Sequence, residues 1–342
     1  MSVTFKRPYL GPRVRGLRIS ELPRDKLLML AYSNTLDEFL NVLKTTPYAV
    51  AIDKLTRENL TELKRELVKI YLNKVRSFLG FSKDVKDVVL TSVKFFEYDN
   101  IRNLATALKA GKNPEDFILW EPLEFTGRRH IVASLLGSRS FEELKARLEQ
   151  LNHPAAKAFV LAAKYGEEKL SFFIDRQWLE DFLTTLRSKR EMSLLAFTEE
   201  TRNYLNAAVA IRARVWGLSD ELGELIVGEP TPIVLSAVKD PPPRFLEVAG
   251  TLPWGKLLTA IVAEAPTLEN IAVAMDNIYP AYMKKLADIY VARFTEFSLG
   301  ALIAQIEYIR AEIVAIMRAA SLIAEGVSIE KRKDIFEALI RA

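Results

Sequence analysis

The stretch Asn206-Ala-Ala-Val-Ala-Ile-Arg-Ala-Arg-Val-Trp-Gly217 contains the pattern that decides the fold. A glycine follows an anchor residue by eleven positions here, and the same spacing recurs from Asn100 to Gly111 and from Ala315 to Gly326. Eleven residues make about three helical turns, and a terminal glycine suits a left-handed C-terminal cap. The spacing therefore predicts three related helices that each end at a glycine, with those glycines 106 and 109 residues apart.

Two further markers keep the same order along the chain. A proline follows an apolar segment at Pro47, Pro154 and Pro253, and an aspartate follows an apolar pair at Asp53, Asp175 and Asp276. Markers that recur in order at a period near 106 residues predict an internal repeat. We therefore expect three diverged copies of one helical unit, over residues 1–118, 119–232 and 233–342. The alternative is a set of generic amphipathic helices, whose caps and prolines recur anyway.

Composition and periodicity predict an all-α chain. The 342 residues are 49% hydrophobic and 27% charged, and 14 glycines with 15 prolines leave turns scarce. Apolar residues recur at three- and four-residue steps over 60–78 and 301–322. Capping boxes at Thr35–Glu38 and Ser140–Glu143 mark helix starts, and Thr267–Asn270 is a weaker example. Residues 87–96 are rich enough in valine and phenylalanine for a strand, but we expect a helix there.

Several function classes are excluded or disfavoured. The absence of cysteine excludes disulfides, thiol nucleophiles and Cys-ligated metals. The two histidines, His130 and His153, are far apart in sequence, so we expect no metal site. The net charge is only +4 and basic residues are interleaved with acidic ones, so we expect no nucleic-acid binding. Residues 1–16 lack the apolar core of a signal peptide, and the most apolar stretch, 301–324, carries several charged side chains. We expect a soluble or membrane-peripheral chain in the cytoplasm.

One stretch has the spacing of a phosphate-binding loop. Gly250-Thr-Leu-Pro-Trp-Gly255-Lys256 matches G-x-x-x-x-G-K, but Leu257 follows it where a hydroxyl should ligate magnesium. Pro253 also removes a backbone N–H that should face phosphate. We therefore expect no nucleotide site.

Other chemical candidates have a structural alternative that we favour. The Arg128-Arg129-His130 cluster is either an anion clamp or a solvated helix end, and His153 is most simply a structural turn residue. Asp175, Glu180 and Asp181 are either paired acid–base carboxylates or a solvated face neutralised by arginines. The aromatics Phe172, Phe173, Trp178 and Phe182 have helical spacing typical of core. We predict no catalytic, cofactor-binding or metal-binding residue, which favours an interaction module over an enzyme.

Several motifs together resemble a known family. Tyr9-Leu-Gly-Pro-Arg13-Val-Arg15 resembles a Y-x-x-x-R-x-R motif near the N-terminus, and Leu43–Tyr48 resembles L-x-x-T-x-Y. The segments 99–111 and 206–217 resemble a recurring N-L-x-x-x-x-R-x-x-x-x-G helix, and 306–326 resembles its terminal Y-x-x-x-E helix. These are motifs of the C subunits of archaeal-type (A-type/V-type) ATP synthases, which are related to the d subunits of V-type ATPases. Thr106 and Ala315 depart from them, because the family usually has Arg and Asn there.

The resemblance implies a specific fold and function. It implies a funnel of three similar helical domains around a pseudo-threefold axis, without catalytic activity or a bound nucleotide. Such a protein is the rotor socket that joins the central-stalk subunits D and F to the membrane proteolipid ring and transmits torque. It lies peripherally on the cytoplasmic face of the cell membrane, in a complex that moves protons or sodium ions. The small basic excess suits a position near anionic headgroups.

The polar faces of the repeated helices supply the candidate partner-binding residues. These are Arg102, Lys109, Arg212, Arg214, Arg310 and Arg318. The alternative is that they form buried structural ion pairs with Glu97, Glu200 and Glu312. At the level of function, the alternatives to a rotor subunit are an unrelated helical scaffold and an enzyme with a site between modules.

Overall fold

The computed structural model describes residues 9–19, 21–55, 59–262 and 264–341. Every regular element within these ranges is helical, so the all-α prediction is confirmed for them. The α-helices are α1 (Leu10–Ile19), α2 (Arg24–Tyr32), α3 (Leu36–Leu43), α4 (Ala49–Ile52), α5 (Leu60–Arg76), α6 (Lys83–Val93), α7 (Phe95–Lys109), α8 (Trp120–Thr126), α9 (Arg129–Leu135), α10 (Phe141–Gln150), α11 (Ala156–Tyr165), α12 (Leu170–Ser188), α13 (Met192–Val215), α14 (Leu222–Leu225), α15 (Pro232–Lys239), α16 (Pro242–Ala249), α17 (Gly255–Val262), α18 (Leu268–Phe294), α19 (Leu299–Ala324), α20 (Ile329–Arg332) and α21 (Asp334–Arg341). Short 3-10 helices occupy Pro114–Phe117, Glu167–Lys169 and Ser219–Glu221.

The chain forms two compact units. We call residues 83–190 the inserted unit, and residues 1–82 together with 191–342 the discontinuous unit. The predicted division at 118/119 and 232/233 stays a prediction, as does the pseudo-threefold funnel.

Helix α19 is the centre of the discontinuous unit. It packs against α18 and α13, and also against α1, α3 and α5 from the N-terminal part of the chain. The sequence predicts one apolar stripe on this helix, but the structure buries most of its circumference, including Ile303, Ile306 and Ile309. The buried charged residues of this helix are hydrogen-bonded within the fold, as Arg310 is to Glu307 and Glu312 to Tyr308. Each buried aliphatic side chain stabilises the fold by about 1.5–3 kcal/mol.

The inserted unit is built around α7 and α12. The predicted helical state of residues 87–96 is confirmed, with α6 ending at Val93 and α7 starting at Phe95. Trp178 of α12 lies edge-on to Phe95, with ring centroids 5.2 Å apart. Phe173, Trp178 and Phe182 are buried, which confirms them as core residues, whereas Phe172 is half-buried.

The helix starts predicted from capping boxes are also confirmed. The hydroxyls of Thr35 and Ser140 accept hydrogen bonds from the N–H groups of Glu38 and Glu143, at 3.2 and 3.1 Å. Each glutamate accepts in return from the N–H of the residue before the cap. The three consecutive prolines Pro241–Pro243 lie at a helix start, because Pro242 opens α16. Among the described residues, no helix is both long enough and apolar enough to cross a membrane.

Candidate interaction sites on the repeated helices

The three glycine-ended helices α7, α13 and α19 share one C-terminal geometry. Their glycines have φ of +63°, +68° and +73°, which confirms the predicted left-handed caps. The N–H after each glycine reaches back into the helix, from Lys112 to Ala107 at 2.9 Å, from Leu218 to Ala213 at 2.7 Å and from Val327 to Leu322 at 2.9 Å. The caps satisfy carbonyls that a helix end would otherwise leave unpaired.

The anchor asparagines hold a later segment of backbone. The Asn100 side-chain amide donates to the carbonyl of Leu119 at 2.9 Å and accepts from its N–H at 2.8 Å. Asn206 makes the same pair of bonds with Val227, at 2.9 and 3.0 Å. Both amides are buried. The sequence identifies these residues as repeat markers but does not reveal that they clamp a following segment.

Glu97 of α7 is the acceptor at the centre of a buried cluster in the inserted unit. Its carboxylate lies 2.7 Å from His153 Nε2 and accepts two hydrogen bonds from the Arg128 guanidinium, one of 3.0 Å. Burial favours the neutral acid, but these partners outweigh it and hold the Glu97 pKa below its ordinary value. His153 is structural as predicted. The cluster Arg128-Arg129-His130 lies at the start of α9, where Arg129 and His130 are exposed as expected of a solvated helix end. Arg128 differs from that expectation, because its half-buried guanidinium pairs with a buried carboxylate.

Glu312 of α19 is a second buried acceptor, in the discontinuous unit. The hydroxyls of Tyr48 and Tyr308 donate to its carboxylate, the latter at 2.6 Å, and Leu22 N–H donates at 3.1 Å. Burial, reinforced by the Glu312 charge, raises the pKa of both tyrosines well above the ordinary value. Both hydroxyls therefore remain protonated donors across the physiological range.

Each of the three proline turns packs onto one glycine-ended helix. The residue beside the marker proline is His153 against α7, Tyr48 against α19, and Trp254 against α13. Trp254 lies edge-on to Tyr204, with centroids 5.4 Å apart. The turn that packs onto α19 comes from the N-terminal part of the chain, because Tyr48 precedes Glu312 by more than 260 residues.

Two of the six candidate partner-binding residues, both arginines, pair with marker aspartates. Arg102 forms ion pairs with Asp175 and, at 3.5 Å, with Asp99, and Arg212 pairs with Asp276. The alternative to partner binding is buried ion pairing with Glu97, Glu200 and Glu312. Arg102 and Arg212 are ion-paired, but to Asp175 and Asp276, which are about half exposed. The sequence marked Asp276 only as a repeat position, and Asp175 as both a repeat position and a candidate acid–base carboxylate.

The other four candidates have different environments. Arg310 is only 4% exposed and pairs with Glu307 at 2.6 Å. Arg214 donates to the backbone carbonyls of Ala237 and Asp240. Arg318 is half-buried and Lys109 is exposed. Contact with a partner stays a prediction for all six, and Lys109 is the best placed for it.

The remaining candidates fall into structural contacts. Glu180 pairs with Arg176 at 2.7 Å, and Asp181 accepts from Lys94 and Tyr98, so these carboxylates are neutralised. The loop-like stretch 250–256 turns Trp254 into the core, where the side chain is 1% exposed. A Cβ on Gly255 would lie 1.8 Å from the Ala249 carbonyl oxygen, so close packing accounts for that glycine.

The caps, clamps and buried clusters on α7, α13 and α19 hold distant segments of this helical fold together. The chain belongs to the ATP synthase (C/AC39) subunit family, whose model matches residues 10–335. The C subunit of the A-type ATP synthase of Pyrococcus abyssi is 21% identical over 96% of this chain and 90% of the relative. The Pyrococcus horikoshii protein of the same name is 22% identical with the same coverage. The resemblance drawn from the motifs is confirmed, and the chain is a subunit of an A/V-type ATPase.

Proposed function

We propose that this chain is the non-catalytic socket of the rotor in an A/V-type ATP synthase. It joins the D–F stalk to the membrane proteolipid ring and transmits torque between them. It is peripheral on the cytoplasmic face of the membrane, while ions and nucleotides are handled by other subunits. The three repeated helices and their turns make up the three similar domains of a funnel around a pseudo-threefold axis. Family membership favours this proposal over a scaffold unrelated to rotary machines.

The observation that carries the proposal is a set of buried polar bonds between segments distant in sequence. Glu312 binds Tyr48 and Leu22, and the Arg332 guanidinium donates to the carbonyl of Ser33. Such bonds are costly to break, because each would leave a buried group unpaired. Torque passes through a body without loss only when its parts do not slide, and close-packed helices fixed by buried bonds meet that need.

Calorimetric titration with the purified D–F heterodimer tests the proposal. We expect a saturable one-to-one complex, and we expect Lys109→Glu to weaken it severalfold through charge reversal at an exposed position. Lys157→Glu is the matched control, since Lys157 is also exposed and lies in the same unit. Charge reversal at Arg212 or Arg214 is less informative, because their structural bonds would be broken as well.

Two results would overturn the proposal. One is no binding up to about 1 mM, where association is worth about 4 kcal/mol, both with the heterodimer alone and with detergent-solubilised ring added. The other is a complex whose stoichiometry differs from one to one. An equal loss of affinity for the heterodimer in the Lys109 and Lys157 variants would show that Lys109 is not an interface residue. The socket proposal itself would be unaffected by that result.

A further inference from the structure

Basic and acidic residues are interleaved along most of the chain, but the basic excess is concentrated at one end. Residues 1–32 contain seven Lys and Arg but only two Asp and Glu, whereas the other 310 residues contain 41 and 42. The net charge of +4 is therefore a property of this segment, while the rest of the chain is close to neutral. A localised basic segment attracts anionic partners far more strongly than the same charge dispersed over a surface.

The same segment also exposes an unusual share of large apolar side chains. Fourteen such side chains are exposed among the described residues, and five of them lie between positions 9 and 32. They are Tyr9 (74%), Ile19 (86%), Leu28 (41%), Met29 (50%) and Tyr32 (57%). We call residues 9–19 and 21–33, which contain α1 and α2, the N-terminal strap.

The strap is fixed to the C-terminal part of the discontinuous unit. Arg15 pairs with Glu296, and Arg18 with Asp288. Gly11 lies so close to Phe297 that an added Cβ would be 2.9 Å from its ring. At the other end of the strap, Ser33 accepts from Arg332. The outer side of the strap carries the exposed apolar residues with the exposed Arg13 and Arg24, beside one exposed acidic residue, Asp25.

We infer that the outer side of the strap docks on a membrane surface containing anionic phospholipid. Arginines beside exposed aliphatic side chains, with a tyrosine at each end, are the residue set of an interfacial helix. The aliphatic side chains enter the headgroup boundary, while the guanidinium groups pair with phosphates. Both strap helices are anchored before binding, so little ordering entropy is lost on contact. The inference rests on the proposed function in one respect, because the proposed function places this chain beside a membrane.

Vesicle flotation with the full chain tests the inference. The probes are phosphatidylcholine vesicles with and without 30% phosphatidylglycerol. We expect binding only to the anionic vesicles, weakened in 0.5 M salt by charge screening. Arg13→Gln with Arg24→Gln should weaken binding roughly 25-fold, at about fivefold for each cation removed. Ile19→Ser with Met29→Ser should weaken it at least tenfold, and should also weaken the binding that remains in high salt.

The matched control replaces an exposed arginine and an exposed apolar side chain that lie outside the strap. Arg139→Gln with Met192→Ser changes an exposed arginine and an apolar side chain that is 75% exposed, and should leave vesicle binding unchanged. Equal binding to both kinds of vesicle, no binding to either, or an equal loss in the control would overturn the inference.

Titration of the same strap variants with the D–F heterodimer separates this inference from the socket proposal. Unchanged stalk affinity with lost vesicle binding supports a lipid surface. Lost stalk affinity with unchanged vesicle binding would overturn the lipid assignment, because the strap would then face an acidic protein. If the wild-type chain binds anionic vesicles but not the stalk, the socket proposal fails while the membrane surface stands.

Discussion

Replacing Asn206 with alanine tests whether the asparagine clamp stabilises the discontinuous unit. The change removes both hydrogen bonds to Val227, a residue that is only 7% exposed. A buried polar group left unpaired costs about 1–3 kcal/mol, so two such groups should cost about 2–6 kcal/mol. For a unit of this size, a loss of about 3 kcal/mol lowers Tm by roughly 6–12 °C.

The assay combines thermal unfolding with hydrogen exchange. Because a chain with two compact units need not unfold in one step, exchange should be measured on the peptide that contains Val227. Its amide should lose protection in the Asn206→Ala variant. The control is Asn270→Ala in the same unit, where an exposed amide makes a single bond to Ala265 and the cost should stay within about 1 kcal/mol. Equal melting shifts in the two variants, or an unchanged Val227 amide, would refute the reasoning.

Two further predictions concern packing and pH. Gly255→Ala places a Cβ 1.8 Å from the Ala249 carbonyl oxygen, so it should lower the free energy of unfolding by several kcal/mol or prevent soluble expression. Gly80→Ala is the control, because an added Cβ there meets nothing within 4 Å. Denaturant titration should show no change in the free energy of unfolding for that variant. Folding lowers the pKa of Glu97, so its ionised carboxylate stabilises the folded state fully at pH values above its ordinary pKa of about 4.3. That stabilisation is lost as pH falls through the pKa that Glu97 has in the folded state. The stability gap between wild type and Glu97→Gln should therefore be constant near neutral pH and shrink below about pH 4, as measured by hydrogen exchange within residues 83–190; a gap that persists to pH 2 would contradict this sign.

Local chemistry made the helix ends predictable from sequence. A capping box or a C-terminal glycine acts within four or five residues, so Thr35, Ser140 and the three marker glycines could be identified directly. The helical state of 87–96 followed from its neighbours, even though valine-rich composition also suits a strand. The family could be recognised because spacing between such local signals survives when overall identity falls to about one fifth.

The pairings between distant residues could not be predicted in the same way. Nothing local in the sequence says that Arg102 should meet Asp175 rather than Glu97, because both carboxylates follow apolar segments. The partner is set by helix packing, which brings α12 against α7. Arg128 likewise looked solvated beside Arg129 and His130, since its buried partner lies 31 residues upstream. Ion pairs of this kind depend on tertiary geometry rather than on pattern.

The bond between Tyr48 and Glu312 has a consequence for how the protein is made. At a synthesis rate of roughly 5–20 residues per second, the 264 residues between them take about 13–53 s to emerge from a ribosome. Throughout that interval the N-terminal part of the discontinuous unit lacks α19, whereas residues 83–190 have all emerged once about half of it has passed. A nascent chain thus passes through a stage with one finished unit and an N-terminal segment that still awaits α19. Chains that terminate before Glu312 never leave that stage, and their exposed apolar helices make them substrates for chaperones and proteases.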